Sequence, residues 1–388
     1  MSDRLPCLTS RLQGFGTTIF AEMSALAAAH DAVNLSQGFP DVDPPEAITE
    51  AAVAAIRGGR NQYAPGIGVA ALRQAIAAHR QRFHGQAYDP DDEVTVTAGA
   101  TEAVCAALQA VCEVGDDVVV FEPAYDAYLA GARMAGAVPR PVTLPPPDFR
   151  VDAAELAQVV GPRTRAIVVN SPHNPTGAVL GDDDLEAIAA VCRERDVLAI
   201  TDEVYEHLVY SGPHRSLASR AGMRERTVVI SSAAKTFSAT GWKIGWVCAP
   251  PALTTAVRIA KQFMTFTNGT PFQDAIAVGL GLDDGFFVEL AESHRARRDQ
   301  LAAGLSSCGF DVMATHGSYF VLTDVTSAGY DDDVAFCRDL PAKVGVGAVP
   351  CSGFYTDPRR GRGLVRFAFC KRGEVIAEAV KRLQAAFA

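Results

Sequence analysis

The 388-residue chain predicts an α/β fold, a mostly parallel sheet flanked by helices, together with a smaller α+β unit. Two observations point to the sheet. Short apolar runs alternate with amphipathic stretches through the middle of the chain, which is the rhythm of βαβ units. Runs such as Val118-Val119-Val120-Phe121 and Ala166-Ile167-Val168-Val169 are apolar at successive positions, which suits strands buried on both faces. A third observation points to the smaller unit: a long amphipathic stretch near the C-terminal quarter is followed by isolated strand-like segments.

In chain order, helices are expected at Pro45–Arg57 and Val69–Phe83, then a strand at Glu93–Thr97 and a helix at Thr101–Cys112. Strand Asp117–Phe121 leads to helix Ala124–Ala135, and strand Arg165–Asn170 to helix Asp182–Glu194. Strands Val197–Thr201, Thr227–Ser231 and Ile244–Ala249 follow, with a helix at Pro251–Phe263. Pro145-Pro146-Pro147 reads as a rigid surface connection. The boundary of the second unit falls near Asp283-Asp284-Gly285. Beyond it lie the amphipathic stretch to Ser307, strands at Phe310–Met313 and Tyr319–Thr323, a helix near Asp331–Leu340, a strand near Leu364–Phe369 and a last helix from Glu374.

Lys plus Arg number 35 and Asp plus Glu 45, a net charge of −10. Nucleic-acid binding runs on phosphate neutralisation, so this balance argues against it. Arg359-Arg360-Gly361-Arg362 reads as an exposed loop, without interleaved aromatics. The N-terminal residues lack an apolar signal core, and no run approaches the ~20 apolar residues of a membrane span. Nine scattered cysteines without a CxxC pair fit a reduced, cytoplasmic protein. Asp182-Asp183-Asp184 and Asp331-Asp332-Asp333 read as helix-opening caps, and no metal site is expected.

The chemistry concentrates after strand ends, where open α/β sheets build their sites. Lys235 follows strand Thr227–Ser231, with Ser232 three residues earlier and Lys243 eight residues later. A desolvated lysine amine is a Schiff-base nucleophile, and Ser232 and Lys243 can hold a phosphate. The set fits an aldehyde cofactor anchored by phosphate, pyridoxal phosphate. Ser-x-x-Lys alone carries little information, so other segments must supply the rest. Asp202 can pair with a pyridinium nitrogen. Tyr205 and Asn174 can reach the cofactor's phenolic oxygen. Gly99-Ala100-Thr101 opens a helix whose free amides suit an anion, and Tyr125 can stack on a ring face.

Taken with Asn34-Leu35-Ser36-Gln37-Gly38-Phe39-Pro40, Asn61-Gln62-Tyr63, Asn174-Pro175-Thr176-Gly177 and Arg366-Phe367-Ala368-Phe369, these motifs resemble the class I aminotransferases of pyridoxal-phosphate fold type I over almost the whole chain. The resemblance implies a large domain, residues 45–284, around a mostly parallel seven-stranded sheet. It implies a discontinuous small domain made of residues 1–44, including an N-terminal arm, and residues 285–388. It implies that Lys235 carries the cofactor and acts as general base and acid in ping-pong transamination, with Asp202 and Tyr205 completing the catalytic set. Arg366 would clamp the substrate α-carboxylate, Gly38 and Asn174 would approach the substrate, and Tyr63 would reach the phosphate of a neighbouring subunit in a homodimer. Lys243 stands where aspartate-type members carry arginine.

Within the family the chain is similar to the kynurenine, glutamine and methionine aminotransferase subgroup. Inside that subgroup it resembles actinobacterial N-succinyldiaminopimelate aminotransferases, which implies N-succinyl-LL-2,6-diaminopimelate with 2-oxoglutarate/glutamate, in lysine and diaminopimelate biosynthesis. A methionine, glutamine, kynurenine or aromatic substrate is the alternative, and a β-lyase acting on cysteine conjugates a third reading. A regulatory module with an appended DNA-binding domain finds no room before Asn34. Phe15, Ile19 and Phe20 of the arm are expected to line the side-chain pocket, and Lys261 and Gln262 are candidate donors at its mouth.

Overall fold

A computed structural model describes residues 7–16 and 18–387. Helix α1 (Ile19–Ala29) and the short strand β1 (Val33–Asn34) come first, followed by α2 (Glu46–Arg57) and α3 (Ala70–His84). The sheet region then alternates: β2 (Val94–Thr97), α4 (Gly99–Val111), β3 (Asp117–Glu122), α5 (Asp126–Met134), β4 (Val138–Thr143), α6 (Ala153–Val159), β5 (Thr164–Asn170), α7 (Asp182–Arg195) and β6 (Leu198–Asp202). Strand β7 (Thr227–Ser232), the one-turn α8 (Ala233–Thr236), β8 (Gly245–Cys248), α9 (Pro251–Gln262) and α10 (Thr270–Leu280) complete it. The C-terminal part holds α11 (Asp284–Ser307), β9 (Asp311–Val312), β10 (Phe320–Asp324), α12 (Asp333–Lys343), β11 (Val346–Gly347), β12 (Val349–Pro350), β13 (Leu364–Ala368) and α13 (Gly373–Phe387).

Seven strands form one sheet in the order β2-β8-β7-β6-β5-β3-β4, parallel except that β8 runs antiparallel to both neighbours. Every residue of β3 and β7 is buried, as the apolar runs at their centres, Val118-Val119-Val120-Phe121 and Val228-Val229-Ile230, require. Strand β4 was not expected. Its sequence, VPRPVT, carries two prolines, which cannot donate to a ladder, and it lies at the sheet edge against β3 alone. Helices α1, α6 and α10 were also not anticipated.

The acidic runs cap as expected. The Asp184 carboxylate accepts the Gly181 amide at 2.8 Å at the start of α7, and Asp332 accepts the Ala335 amide at 2.9 Å at the start of α12. Pro145-Pro146-Pro147 is exposed.

A second sheet, β12-β13-β10-β9, places Arg366 on its inner strand β13, opposite Leu322 and Val349. Strand β1 pairs in parallel with β11, Val33 opposite Val346. Met23 and Leu35 from the N-terminal part share a buried cluster with Phe336, Phe367 and Ile376 from the C-terminal part, and Tyr205 joins the same cluster. This packing brings the second sheet, and with it Arg366, against the C-terminal ends of the large sheet's parallel strands.

Candidate active site

A cavity of about 390 Å³ opens where β5, β6 and β7 end. It gathers residues from across the chain: Gly38, Gly99, Tyr125, Asn174, Asp202, Tyr205, Ser232, Lys235, Lys243 and Arg366 all line it, with Ala100, Thr101 and Phe20. The motifs picked out one by one along the sequence therefore meet in one space.

One end is built for an anion. Ser232 and Thr97 both lie opposite Gly245 in the sheet, and Thr97 leads into Gly99 and α4. Gly99 has φ +80°, and a Cβ there would fall 3.2 Å from Lys243 Nζ. A Cβ on Gly245 would fall 2.6 Å from the Gly99 carbonyl carbon. The two glycines keep a cradle open beneath the first-turn amides of α4, which have no acceptor within the helix. Lys243 and Ser232 complete a donor set suited to phosphate.

Lys235 stands on α8, directly after β7. Its Nζ donates to the Gly38 carbonyl at 3.3 Å and lies 5.8 Å and 5.3 Å from the rings of Tyr205 and Tyr319. Burial lowers its ammonium to about 8, against the pull of Cys370 and Asp202, while Arg366 and Lys243 lower it further. Gly38 has no room for a side chain, since a Cβ would meet the Phe320 ring at 2.7 Å. Asp202 is buried at the end of β6. Tyr128 Oη donates to its Oδ2 at 2.7 Å and the Val204 amide to its Oδ1 at 3.3 Å. Tyr125 caps α5, three residues before Tyr128.

Arg366 is 2% exposed. Its Nη1 donates to Asn174 Oδ1 at 2.8 Å and its Nη2 to the Ser36 carbonyl at 2.9 Å, while Nε is buried without an acceptor. The guanidinium carbon sits over the rings of Phe320 at 4.0 Å, Phe20 at 5.0 Å and Phe354 at 5.2 Å. An aromatic box with an unpaired donor at the cavity wall suits a carboxylate ligand.

Some expected residues lie elsewhere. Phe15 does not line this cavity, because its ring is held under the Arg133 guanidinium of α5 at 5.1 Å. Ile19 packs into the neighbouring core instead. Tyr63 lies outside the cavity of its own chain, 84% exposed and edge-on to Phe266 at 5.7 Å. Lys261 is no donor at the mouth: it is buried, and its Nζ donates to the carbonyls of Gly66 at 3.0 Å and Phe266 at 2.6 Å. Gln262 is exposed on the same helix. Sequence reasoning did not single out Tyr128 or Tyr319. Tyr128 carried a signal, the three-residue spacing from Tyr125, which puts both on one helix face. Tyr319 carried none.

Away from the cavity, ligating atoms of His79, Glu206 and His207 lie within 4.8 Å of one another. Glu206 is already engaged by Arg80, His84 and Ser231, and the Nε2 atoms of His79 and His207 share a hydrogen bond at 2.7 Å. These groups are tied to one another and to Arg80, His84 and Ser231 by hydrogen bonds, while His79 Nδ1 is buried without a partner.

Fold and cavity together define a pyridoxal-phosphate-dependent transaminase of fold type I. The chain belongs to the family of class I and II aminotransferases, whose model matches residues 30–383. It is 51% identical over 386 residues to a probable N-succinyldiaminopimelate aminotransferase, DapC, of Mycobacterium tuberculosis, covering 96% of this chain and 97% of the relative. It is 40% identical to the methionine aminotransferase of Escherichia coli, with 97% of each covered. The crystal structure of the M. tuberculosis N-succinyldiaminopimelate aminotransferase superposes with a TM-score of 0.96, covering 98% of this chain and 100% of that one. Thermus thermophilus aspartate aminotransferase with maleate, at 33% identity, gives 0.91 with 98% and 100% covered.

Proposed function

We propose that this transaminase acts on N-succinyl-LL-2,6-diaminopimelate, with 2-oxoglutarate and glutamate as the second pair. The 51% identity to DapC over 96% of the chain carries this reading. Pyridoxal phosphate supplies, when bound, an aldehyde that takes up the amino group and a ring that stores the electrons released at Cα. The first-turn amides of α4, Ser232 and Lys243 would hold its phosphate. Asp202 would pair with the ring nitrogen, Asn174 and Tyr205 would serve the phenolic oxygen, and Tyr125 would cover a ring face. Arg366, oriented by Asn174 and Ser36, binds the substrate α-carboxylate. That contact aims the Cα–H at Lys235 Nζ, whose lowered basicity fits it to take and return a proton near neutral pH. The walls contributed by Phe20 and Phe320 exclude water from this exchange.

One observation favours the alternative substrates. Among the described residues the cationic groups lining the cavity are Lys235, Lys243 and Arg366, all engaged above, and none is left for a distal carboxylate. On this chain's own lining, methionine, glutamine or kynurenine is the simpler occupant. A succinylated substrate would draw its extra donors from a second subunit. We further propose a homodimer with shared sites. Supporting it, Tyr63, Ile259, Phe263 and Phe266 are 84%, 60%, 82% and 45% exposed, large apolar side chains that a second subunit would cover. The division at residues 1–44, 45–284 and 285–388 is supported by the β1–β11 pairing. A cytoplasmic setting is supported by nine free cysteines, six of them buried.

The test is a single-turnover scan. The cofactor-loaded enzyme is mixed with N-succinyl-diaminopimelate, methionine, kynurenine or glutamine, and the loss of visible absorbance is timed, with Lys235→Ala as blank. The succinylated substrate is expected to react fastest. If it is the slowest of the panel, the assignment fails.

A further inference from the structure

Asp202 is a buried carboxylate whose two oxygens each have one protein donor. The Val204 amide, at 3.3 Å, belongs to the same turn. The shorter bond, at 2.7 Å, comes from Tyr128, which is 4% exposed and sits on another element, α5. Burial pushes the Asp202 carboxyl up, and the Tyr128 hydrogen bond is the first of the groups that counter it. Burial and the nearby Asp202 charge keep the Tyr128 phenol protonated, so it remains a donor. The same helix end presents Tyr125 to the cavity, the two rings edge to face at 5.7 Å. One turn of α5 thus supplies both an aromatic wall and the donor behind the carboxylate.

We propose that Tyr128 is a positioning residue for transamination: its hydroxyl fixes the Asp202 carboxylate and competes for the Oδ2 lone pairs, so that a proton shared with the cofactor's ring nitrogen stays on the nitrogen. The inference rests on the reading that Asp202 faces that nitrogen. Without the phenol, Oδ2 loses its protein donor in a buried setting and becomes the better base. The shared proton then moves to the carboxylate, and the ring, now neutral, is a poorer electron store. Binding through Arg366 is untouched.

Tyr128→Phe removes one oxygen and keeps the packing. We expect kcat to fall about ten-fold or more, from the loss of one hydrogen bond to a charged group, with KM changed less than about two-fold, since ground-state binding is preserved. Loss of the ring's positive charge lets the linked Lys235 nitrogen hold its proton to higher pH. The pH midpoint of the bound cofactor's visible band therefore rises, by about one unit, and pyridoxal phosphate binds the apo-protein more weakly by protein fluorescence. A packing role alone would lower thermal stability and leave that midpoint in place, which would overturn the proposal. Asp202→Ala separates the two readings. If it leaves the midpoint and cofactor affinity unchanged, the placement of Asp202 fails. If it shifts them and Tyr128→Phe does not, Tyr128 alone is excluded. In the double variant no further shift is expected beyond Asp202→Ala, because Tyr128 acts only through that carboxylate.

Discussion

Lys235 shows how burial alone changes the chemistry of an amine. An exposed lysine near pH 7 is neutral in about one molecule in three thousand, whereas one brought down to about 8 is neutral in about one in ten. Only the neutral amine attacks an aldehyde, so the cavity gains roughly two to three orders of magnitude in reactive form before any geometry is counted. The sign is testable. Burial disfavours the ammonium, so capture of pyridoxal phosphate by the apo-protein should accelerate as pH rises toward about 8 and level off above it. A stopped-flow rate that keeps climbing to pH 10 would show an ordinary lysine. Neighbouring residues act through space in the same way. Arg366 and Lys243 lower the ammonium further, and Asp202 limits the fall.

At the scale of elements, the turn carrying Asp202 and Tyr205 is gripped from behind by α3. Arg80 is fully buried, and its Nη1 donates to Glu203 Oε2 at 3.0 Å and Glu206 Oε2 at 2.9 Å, on either side of Tyr205. Glu206 Oε1 accepts from Ser231 Oγ at 2.5 Å, tying in the end of β7 beside Ser232. Burial would push Glu203 up, but Arg80 and His214 bring it down to about 2. Replacing Arg80 by Met strands two buried carboxylates, so we expect a loss of about 3–5 kcal/mol in urea unfolding. A loss below about 1 kcal/mol would show that water or histidine protons already neutralise them.

This network was not legible in the sequence, because Arg80 lies 123 residues from Glu203 and reads as one more polar residue on an amphipathic helix. What was legible followed local rules. Strands β3, β5 and β7 announced themselves by apolar runs. Asp202, Ser232, Lys235 and Asn174 were found because each ends or follows a strand. The proline-bearing edge strand β4 and the two-residue strands β1, β11 and β12 have no period to read. Tyr319, whose phenol donates to the Gly38 carbonyl, reaches the site only by the closing of the second sheet against the first.

For the whole molecule, the buried histidines set the response to acid. Burial lowers His79, His173 and His294 to about 4 and His207 to about 3. Below the unfolded value of about 6.5, the unfolded chain takes up protons that these folded imidazoles refuse, so stability drains away as pH falls from about 6.5 toward 4. Each such histidine steepens the fall by up to about 1.4 kcal/mol per pH unit. Among the carboxyls the signs divide. Glu203, depressed to about 2, continues the loss as it is protonated. Asp202, Glu122 and Asp126, raised by burial, take up protons first in the folded state and oppose it. The window that reads the histidines is therefore about pH 6.5 to 5, where their loss runs in one direction and above the ordinary carboxylate range. At fixed protein concentration, so that any association equilibrium is held constant, the urea midpoint is expected to fall steadily across that window. His79→Phe keeps a ring of similar bulk and removes both the cost of its buried nitrogen and its proton uptake on unfolding, so it should flatten the slope. A midpoint that stays level from pH 7 to 5, or a slope unchanged in that variant, would mean that these imidazoles reach solvent and titrate as freely folded as unfolded.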